Sequence, residues 1–240
     1  MLPEDKRLQI QQIFENFLRE RARAIRRLRM GDLDINPFLV RLLSKELGLN
    51  DARSIVRWLV NQRLERGAVT SFGLALQNVA KVFSEGTGVE GADILKTRGG
   101  RHYYIQVKSG PNPIPKEQAK RIAELLRSAQ RRNRGSVALF GMCYGSRDQV
   151  SSIVRKYVAE EGGVDWLAGR EFWEFISGDP DCVDEIYAIA AEVGETFRDA
   201  QGQTLAEILE AKLDELEQEF QTLYGASGEW MWRNLLKRNT

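Results

Sequence analysis

Gly91-Ala-Asp-Ile-Leu-Lys-Thr-Arg-Gly-Gly-Arg-His-Tyr-Tyr-Ile-Gln-Val-Lys-Ser-Gly110 is the stretch on which the reading of this chain turns. Two apolar-rich runs, residues 92–95 and 102–107, flank Gly99-Gly100. A Gly-Gly pair suits a two-residue hairpin loop, whose central positions need positive φ. With that loop the register follows: Arg98 faces Arg101, and counting back places Asp93 opposite Gln106 on one face of the sheet. Side chains alternate along a strand, so Gln106 and Lys108 share that face while Ile105 and Val107 enter the other. Three polar groups, Asp93, Gln106 and Lys108, are expected to converge.

A surface hairpin carrying one Asp and one Lys is common, so the weight comes from what surrounds it. A helix is predicted over residues 72–83, with Ser71 or Thr70 as its N-cap and Leu74, Leu76, Val79, Ala80 and Phe83 packing on the sheet. After Lys108 the prolines at 111, 113 and 115 forbid regular structure, so the chain leaves the sheet edge in a rigid loop beside the three polar groups. A second helix is predicted over 116–133, and the continuous apolar run 137–144 follows as a buried strand. Strand, helix and buried strand form a crossover unit, which makes the last strand parallel to its neighbour.

An acid, a gap, then acid-any-Lys at the end of the next strand is the pattern of the PD-(D/E)XK nuclease superfamily, which this segment resembles through Asp93, Gln106 and Lys108. The wider run 86–118, with Ile105-Gln-Val-Lys-Ser-Gly-Pro-Asn112, is similar to bacterial type II restriction endonucleases. Two positions depart from the pattern: Ala92 stands for its proline, and Gln106 replaces a carboxylate while keeping a carbonyl oxygen as a ligand.

The resemblance implies an α/β fold, with a central mixed sheet flanked by helices and with helical N- and C-terminal extensions. It implies a single nuclease domain over 1–240: a helical region 1–68, a catalytic core 69–145 and a helical region 146–240. It also implies Mg²⁺, with Mn²⁺ as a substitute, held by Asp93, Gln106 and the Val107 carbonyl. Lys108 would then orient or deprotonate the attacking water, and duplex DNA would be hydrolysed to 5′-phosphate ends. The helix before the sheet often supplies another acid in this superfamily; here the inward-facing residue is Gln77. Glu85 and Glu90, either side of Gly86-Thr87-Gly88, are candidates for that charge and read equally well as loop carboxylates. The usual first strand is reduced to a short piece near Val89. A functional pairing with a DNA methyltransferase and a place in bacterial or archaeal cytoplasm are implied as well. Two rivals keep the same fold: a repair, resolvase or mobile-element nuclease, and a DNA-binding protein that has lost catalysis, for which Gln77 and Gln106 are the evidence.

The 240 residues are 42% apolar and carry a formal net charge of +1. The apolar content is enough for one large core, and the charge creates no global field drawing the protein onto nucleic acid. DNA contact must come from local clusters. One is the second half of the helix predicted over 5–30, where Arg19, Arg23, Arg26 and Arg27 fall near one side. The other is the outer face of 116–133, with Lys120, Arg127, Arg131 and Arg132. Both suit phosphates, and a solvated charged face explains the first run equally well. The single histidine, His102, falls at the turn end of the hairpin, which leaves little room for histidine-based catalysis. Cys143 in an apolar run and Cys182 in a polar turn lack metal-ligand spacing and read as reduced thiols. No run is long enough to span a membrane, and the N-terminus lacks a signal-peptide core.

Elsewhere the chain reads as helical. Helices are predicted from Asn36-Pro37 onward, over 52–64 with a stop at Gly67, over 149–161 and over 185–197. The cluster Trp166, Phe172, Trp173, Phe175 and Ile176 reads as core. Leu205, Leu209, Leu213, Leu216, Phe220 and Leu223 form a seam that either docks on its own domain or pairs with a second subunit. A homodimer is expected, because two copies about a two-fold axis most simply cut both strands of a symmetric site.

Overall fold

The Gly99-Gly100 turn forms, with both glycines at positive φ, 57° and 74°. It joins β1 (Ile94–Arg98) to β2 (Arg101–Lys108) in an antiparallel pair, with Arg98 opposite Arg101 and Ile94 opposite Ile105. This is the register that the two-residue loop dictates. The computed structural model describes residues 1–86, 89–111 and 114–240. Expectations placed on Thr87, Gly88, Asn112 and Pro113 lie outside the described residues.

From β2 the chain passes through α4 (Lys116–Arg132) to β3 (Val137–Met142), which lies parallel to β2 with Met142 opposite Lys108. A fourth strand, β4 (Asp165–Ala168), runs parallel to β3 and completes a mixed sheet of order β1-β2-β3-β4. Trp166 therefore sits in a strand and not in a helical aromatic segment. Among the described residues no strand precedes β1, and Val89 lies in a loop.

The regular helix expected over 149–161 is replaced by a 3-10 turn (Arg147–Gln149), a single turn α5 (Ser152–Val154) and a π-helical segment (Arg155–Glu160). The Glu161 N–H donates five residues back to the Lys156 carbonyl at 2.8 Å. Gly162 then closes on α4, where a Cβ would come within 2.7 Å of the Ala123 methyl. The aromatic cluster expected as core is so in part, Trp166 and Phe175 being only half-buried. In α6 (Arg170–Ser177) Phe172, Trp173 and Ile176 are buried, and the Trp173 indole donates to the Cys143 carbonyl at 2.6 Å. Gly141 of β3 admits the Phe172 ring, which a Cβ would meet at 2.3 Å.

The remaining helices are α1 (Glu4–Arg27), α2 (Pro37–Leu47), α3 (Ala52–Lys81), α7 (Cys182–Thr196), α8 (Leu205–Tyr224) and α9 (Gly228–Arg238). In α2 the Asn36 side chain caps the Leu39 N–H and Pro37 occupies the first turn, where its missing donor costs nothing. The largest departure is α3. Gly67 does not stop it, and Thr70 and Ser71 are interior residues whose hydroxyls donate to the Arg66 and Gly67 carbonyls, as Ser and Thr do within helices. Val79, Ala80 and the following Phe83 are buried as expected, but Leu74 is exposed. Among the described residues no helix is long and apolar enough to cross a membrane.

The chain divides into two units, Met1–Glu15 with Phe72–Thr196, and Asn16–Ser71 with Phe197–Thr240. The first holds the whole sheet. The second is helical, and its core joins Ile55, Val56, Leu59 and Val60 of α3 to Leu213, Leu216 and Phe220 of α8. The apolar seam of α8 thus docks on its own unit. Leu213 is completely buried, and Leu213→Ala is expected to cost about 2–5 kcal/mol in denaturant unfolding, the sum of lost transfer energy and a cavity. A loss well below 1 kcal/mol would mean that α8 packs loosely.

Candidate active site

The hairpin ladder continues past β1 through Asp93, whose N–H donates to the Ile105 carbonyl at 2.8 Å. Its carboxylate then turns toward the strand opposite. Gln106 Nε2 donates to Asp93 Oδ2 at 2.5 Å, and the Val107 N–H donates to the same oxygen at 2.9 Å. Ile105 and Val107 are fully buried, whereas Gln106 and Lys108 are only partly covered. Gln106 and Lys108 share the face of Tyr104, which packs in one cluster with Ala119, Ile122 and Ala123 of α4. The end of β2 is pinned by its neighbour: the Cys143 and Tyr144 N–H groups donate to the Lys108 and Ser109 carbonyls, each at 3.0 Å. Gly110 lies under the Tyr144 ring, where a Cβ would come within 2.2 Å. Among the described residues no hydrogen bond or ion pair engages the Lys108 ammonium.

Sequence reasoning missed Lys81, whose Nζ lies 4.0 Å from Asp93 Oδ1. Gln77, one turn earlier in α3, is half-buried and makes no hydrogen bond to Asp93. The spacing of four puts both on one side of the helix, so a search of that face for any charged residue would have found Lys81. Glu85 does not reach the site. Its carboxylate binds Lys96 Nζ at 2.8 Å and the Thr97 N–H at 2.8 Å, and it is held below the usual carboxylate range first by Lys96 and then by Thr97. Glu90 is highly exposed and lies 4.0 Å from Arg132. Among the described residues no three His, Cys, Asp or Glu side chains group as a metal site. His102 is exposed at the turn and bonds Thr97 Oγ1 at 3.1 Å. Cys182, expected in a polar turn, begins α7 and is fully buried.

The family model for type II restriction endonuclease EcoO109I matches residues 5–195, a span that contains the whole sheet and the Asp93 to Lys108 hairpin. The chain belongs to this family. No curated protein matches it. As an EcoO109I-family restriction endonuclease it is a nuclease that acts on DNA. The family match, with a mixed sheet flanked by helices, is consistent with a restriction endonuclease-like PD-(D/E)XK protein.

For an EcoO109I-family enzyme the site must be judged against a divalent cation. Asp93 Oδ1 and Gln106 Oε1 accept no hydrogen bond among the described residues. Two oxygen acceptors on hydrogen-bonded side chains are the donor type that a hard cation takes. They fit Mg²⁺ in kind, although only one carries a formal charge.

The basic residues expected to meet DNA fall into two groups. Arg27, Arg127, Arg131 and Arg132 are exposed and Lys120 is half-exposed. Arg26 is engaged inside the helical unit, donating to Asp199 Oδ2 at 2.5 Å and to Gln203 Oε1 at 2.6 Å. The Arg26 guanidinium, and after it the Gln203 N–H, hold the Asp199 carboxyl below its ordinary range. A depressed folded-state value stabilises above the unfolded pKa, and the contribution is lost as pH falls through the lowered value. Asp199→Asn is therefore expected to lower Tm at pH 7, with the gap to wild type closing at pH well below about 4. Equal gaps at both pH values would mean the loss is not electrostatic.

Proposed function

We propose that this EcoO109I-family protein is a sequence-specific endonuclease of double-stranded DNA, dependent on Mg²⁺, that acts as a homodimer and leaves 5′-phosphate ends. The observation that carries this reading is the meeting of Asp93, Gln106 and Lys108 on one face at the pinned end of β2. Asp93 and Gln106, with the Val107 carbonyl, would hold Mg²⁺, which when bound neutralises the scissile phosphate and acidifies a water. Mn²⁺ would substitute.

The other contributions belong to the chain. Lys108 Nζ, without a carboxylate partner among the described residues, would orient the attacking water or take its proton, and would stabilise charge developing on the phosphate. The Lys81 ammonium beside Asp93 adds positive potential where a phosphate must approach. The Val107 N–H and the Gln106 amide hold the Asp93 carboxylate in place, so that this orientation is not paid for during the reaction. The homodimer rests on the symmetry argument, since the α8 seam is buried in its own unit. A methyltransferase modifying the same sequence would protect the host.

The test is cleavage of long duplex DNA with Mg²⁺, followed by sequencing of the ends. Discrete fragments with 5′-phosphates are expected. Cleavage only at branches or lesions would move the protein to repair or resolution. Binding without cleavage, in Mg²⁺ and in Mn²⁺, would identify a DNA-binding relative, the reading that Gln106 and Gln77 in place of acids would favour.

A further inference from the structure

Three ammonium groups gather around one ring on the outer side of α4. Lys116, Lys120 and Lys156 place Nζ 5.1, 5.4 and 5.5 Å from the centroid of Tyr157. The ring attracts each cation weakly at an exposed site, while the like charges around it repel one another. Among the described residues none of the three comes within 4.0 Å of a carboxylate. Glu124 and Glu161 line the concavity beside the ring, of about 250 Å³, with Lys120 and Arg127, yet neither forms an ion pair with the three lysines. Three ammonium groups around one ring, with no carboxylate ion-paired to them among the described residues, suit an external anion.

Its place in the fold says which anion. β2 ends at Lys108 and α4 begins at Lys116, so Lys116 and Lys120, in the first turns of α4, start from the end of the sheet that carries the active site. α4 also covers the face that Gln106 and Lys108 share. Its amino-terminal dipole adds to the positive potential there. The π-helical segment, which places Lys156 and Tyr157 side by side against α4, is an irregularity of the kind often found at functional sites.

We propose that Lys116, Lys120 and Lys156 around Tyr157 form a seat for backbone phosphates of the DNA strand that crosses the α4 side of the active site. This rests on the nuclease reading. The seat reads no sequence, because ammonium groups on flexible stems meet phosphate as point charges. It sets how the duplex lies against Asp93 and Lys108.

The experiment measures binding of a fluorescent non-specific duplex by anisotropy, without divalent metal, across a salt series, for the full-length protein and for Lys120→Ala/Lys156→Ala. The double variant should bind at least about tenfold more weakly near 0.1 M salt, and its slope of log affinity against log salt should fall by about one to two. Lys120→Arg/Lys156→Arg should keep the wild-type slope. Single-turnover cleavage of a specific duplex by the alanine variant should show a raised half-saturating concentration. Lys156 is exposed and Lys120 half-buried, and a wild-type Tm excludes misfolding as the cause. An unchanged slope in the alanine variant of a protein that binds and cuts DNA overturns the seat and leaves the nuclease standing. Failure of the wild type to bind duplex DNA under any salt condition overturns the nuclease reading itself, and the seat with it.

Discussion

Lys108→Ala and Asp93→Ala are each expected to lower DNA cleavage by about a thousandfold or more while leaving duplex binding in place. Groups that act on charge appearing only in the transition state are lost from the rate and not from the ground-state complex. Removal of one preorganised donor from such a site typically costs about 10²–10³ in rate. The structure separates the two variants in a second respect. The Lys108 ammonium has no internal partner among the described residues, so its removal leaves nothing unsatisfied and Tm should stay near wild type. Asp93 accepts from both Val107 and Gln106, and truncating it strands the Val107 N–H in a partly buried place, at about 1–3 kcal/mol. Asp93→Asn keeps an acceptor and should recover most of that stability without recovering the rate. Single-turnover cleavage, anisotropy and thermal melts read the three quantities independently. A folded Asp93→Ala protein that cuts at the wild-type rate would falsify the site.

Gln106→Glu should lower Tm in EDTA and make Tm rise with Mg²⁺ more steeply than wild type. The Gln106 amide donates to Asp93 Oδ2 at 2.5 Å. A carboxylate there replaces a charge-assisted hydrogen bond, about 1.5–3 kcal/mol, by two acceptors facing each other. For a chain of this size that corresponds to roughly 3–12 °C. Asp93 keeps about a quarter of its side chain in solvent, which tempers the repulsion and argues for the lower half of that range. A divalent cation bound by both carboxylates stabilises the folded state by mass action. Metal affinity should therefore change more than the limiting rate. An unaltered melt in EDTA and in Mg²⁺ would mean that position 106 does not face Asp93.

The hairpin was legible because one local device decides it. A two-residue Gly-Gly loop leaves no freedom of register, so the partners of Asp93 could be counted. The crossover to β3 was legible for a similar reason, since parallel pairing requires a long connection and the prolines and helix supply it. Lys81 lies on the helix predicted over 72–83, but the family pattern directs attention to an acid on that face, and nothing local marks a lysine as the neighbour of Asp93. Gly67 reads as a stop because glycine costs about 1 kcal/mol in a helix, yet α3 runs through it from Ala52 to Lys81. β4 is four residues long and shows no clear alternation, so Trp166 was absorbed into the neighbouring helical pattern. Arg26 illustrates the limit of local charge patterns: its partner Asp199 lies 173 residues away. Glu85 was placed near the site by sequence distance alone, and Lys96 and Thr97 hold it elsewhere.

The two cysteines turn the sheet-bearing unit into its own clock. Both are buried free thiols in that unit. Burial, and then the negative charge of Asp93, push the Cys143 thiol far above its ordinary range. Burial pushes Cys182 up to about 11. Alkylation needs the thiolate and access to it, so under native conditions each sulfur reacts only when its surroundings open. The chain has two cysteines in all, which leaves the helical unit silent to such reagents. Labelling at Cys143 times openings at the end of β3 beside Lys108, and labelling at Cys182 times those at the start of α7. DNA seated over the site should slow the first clock and leave the second running.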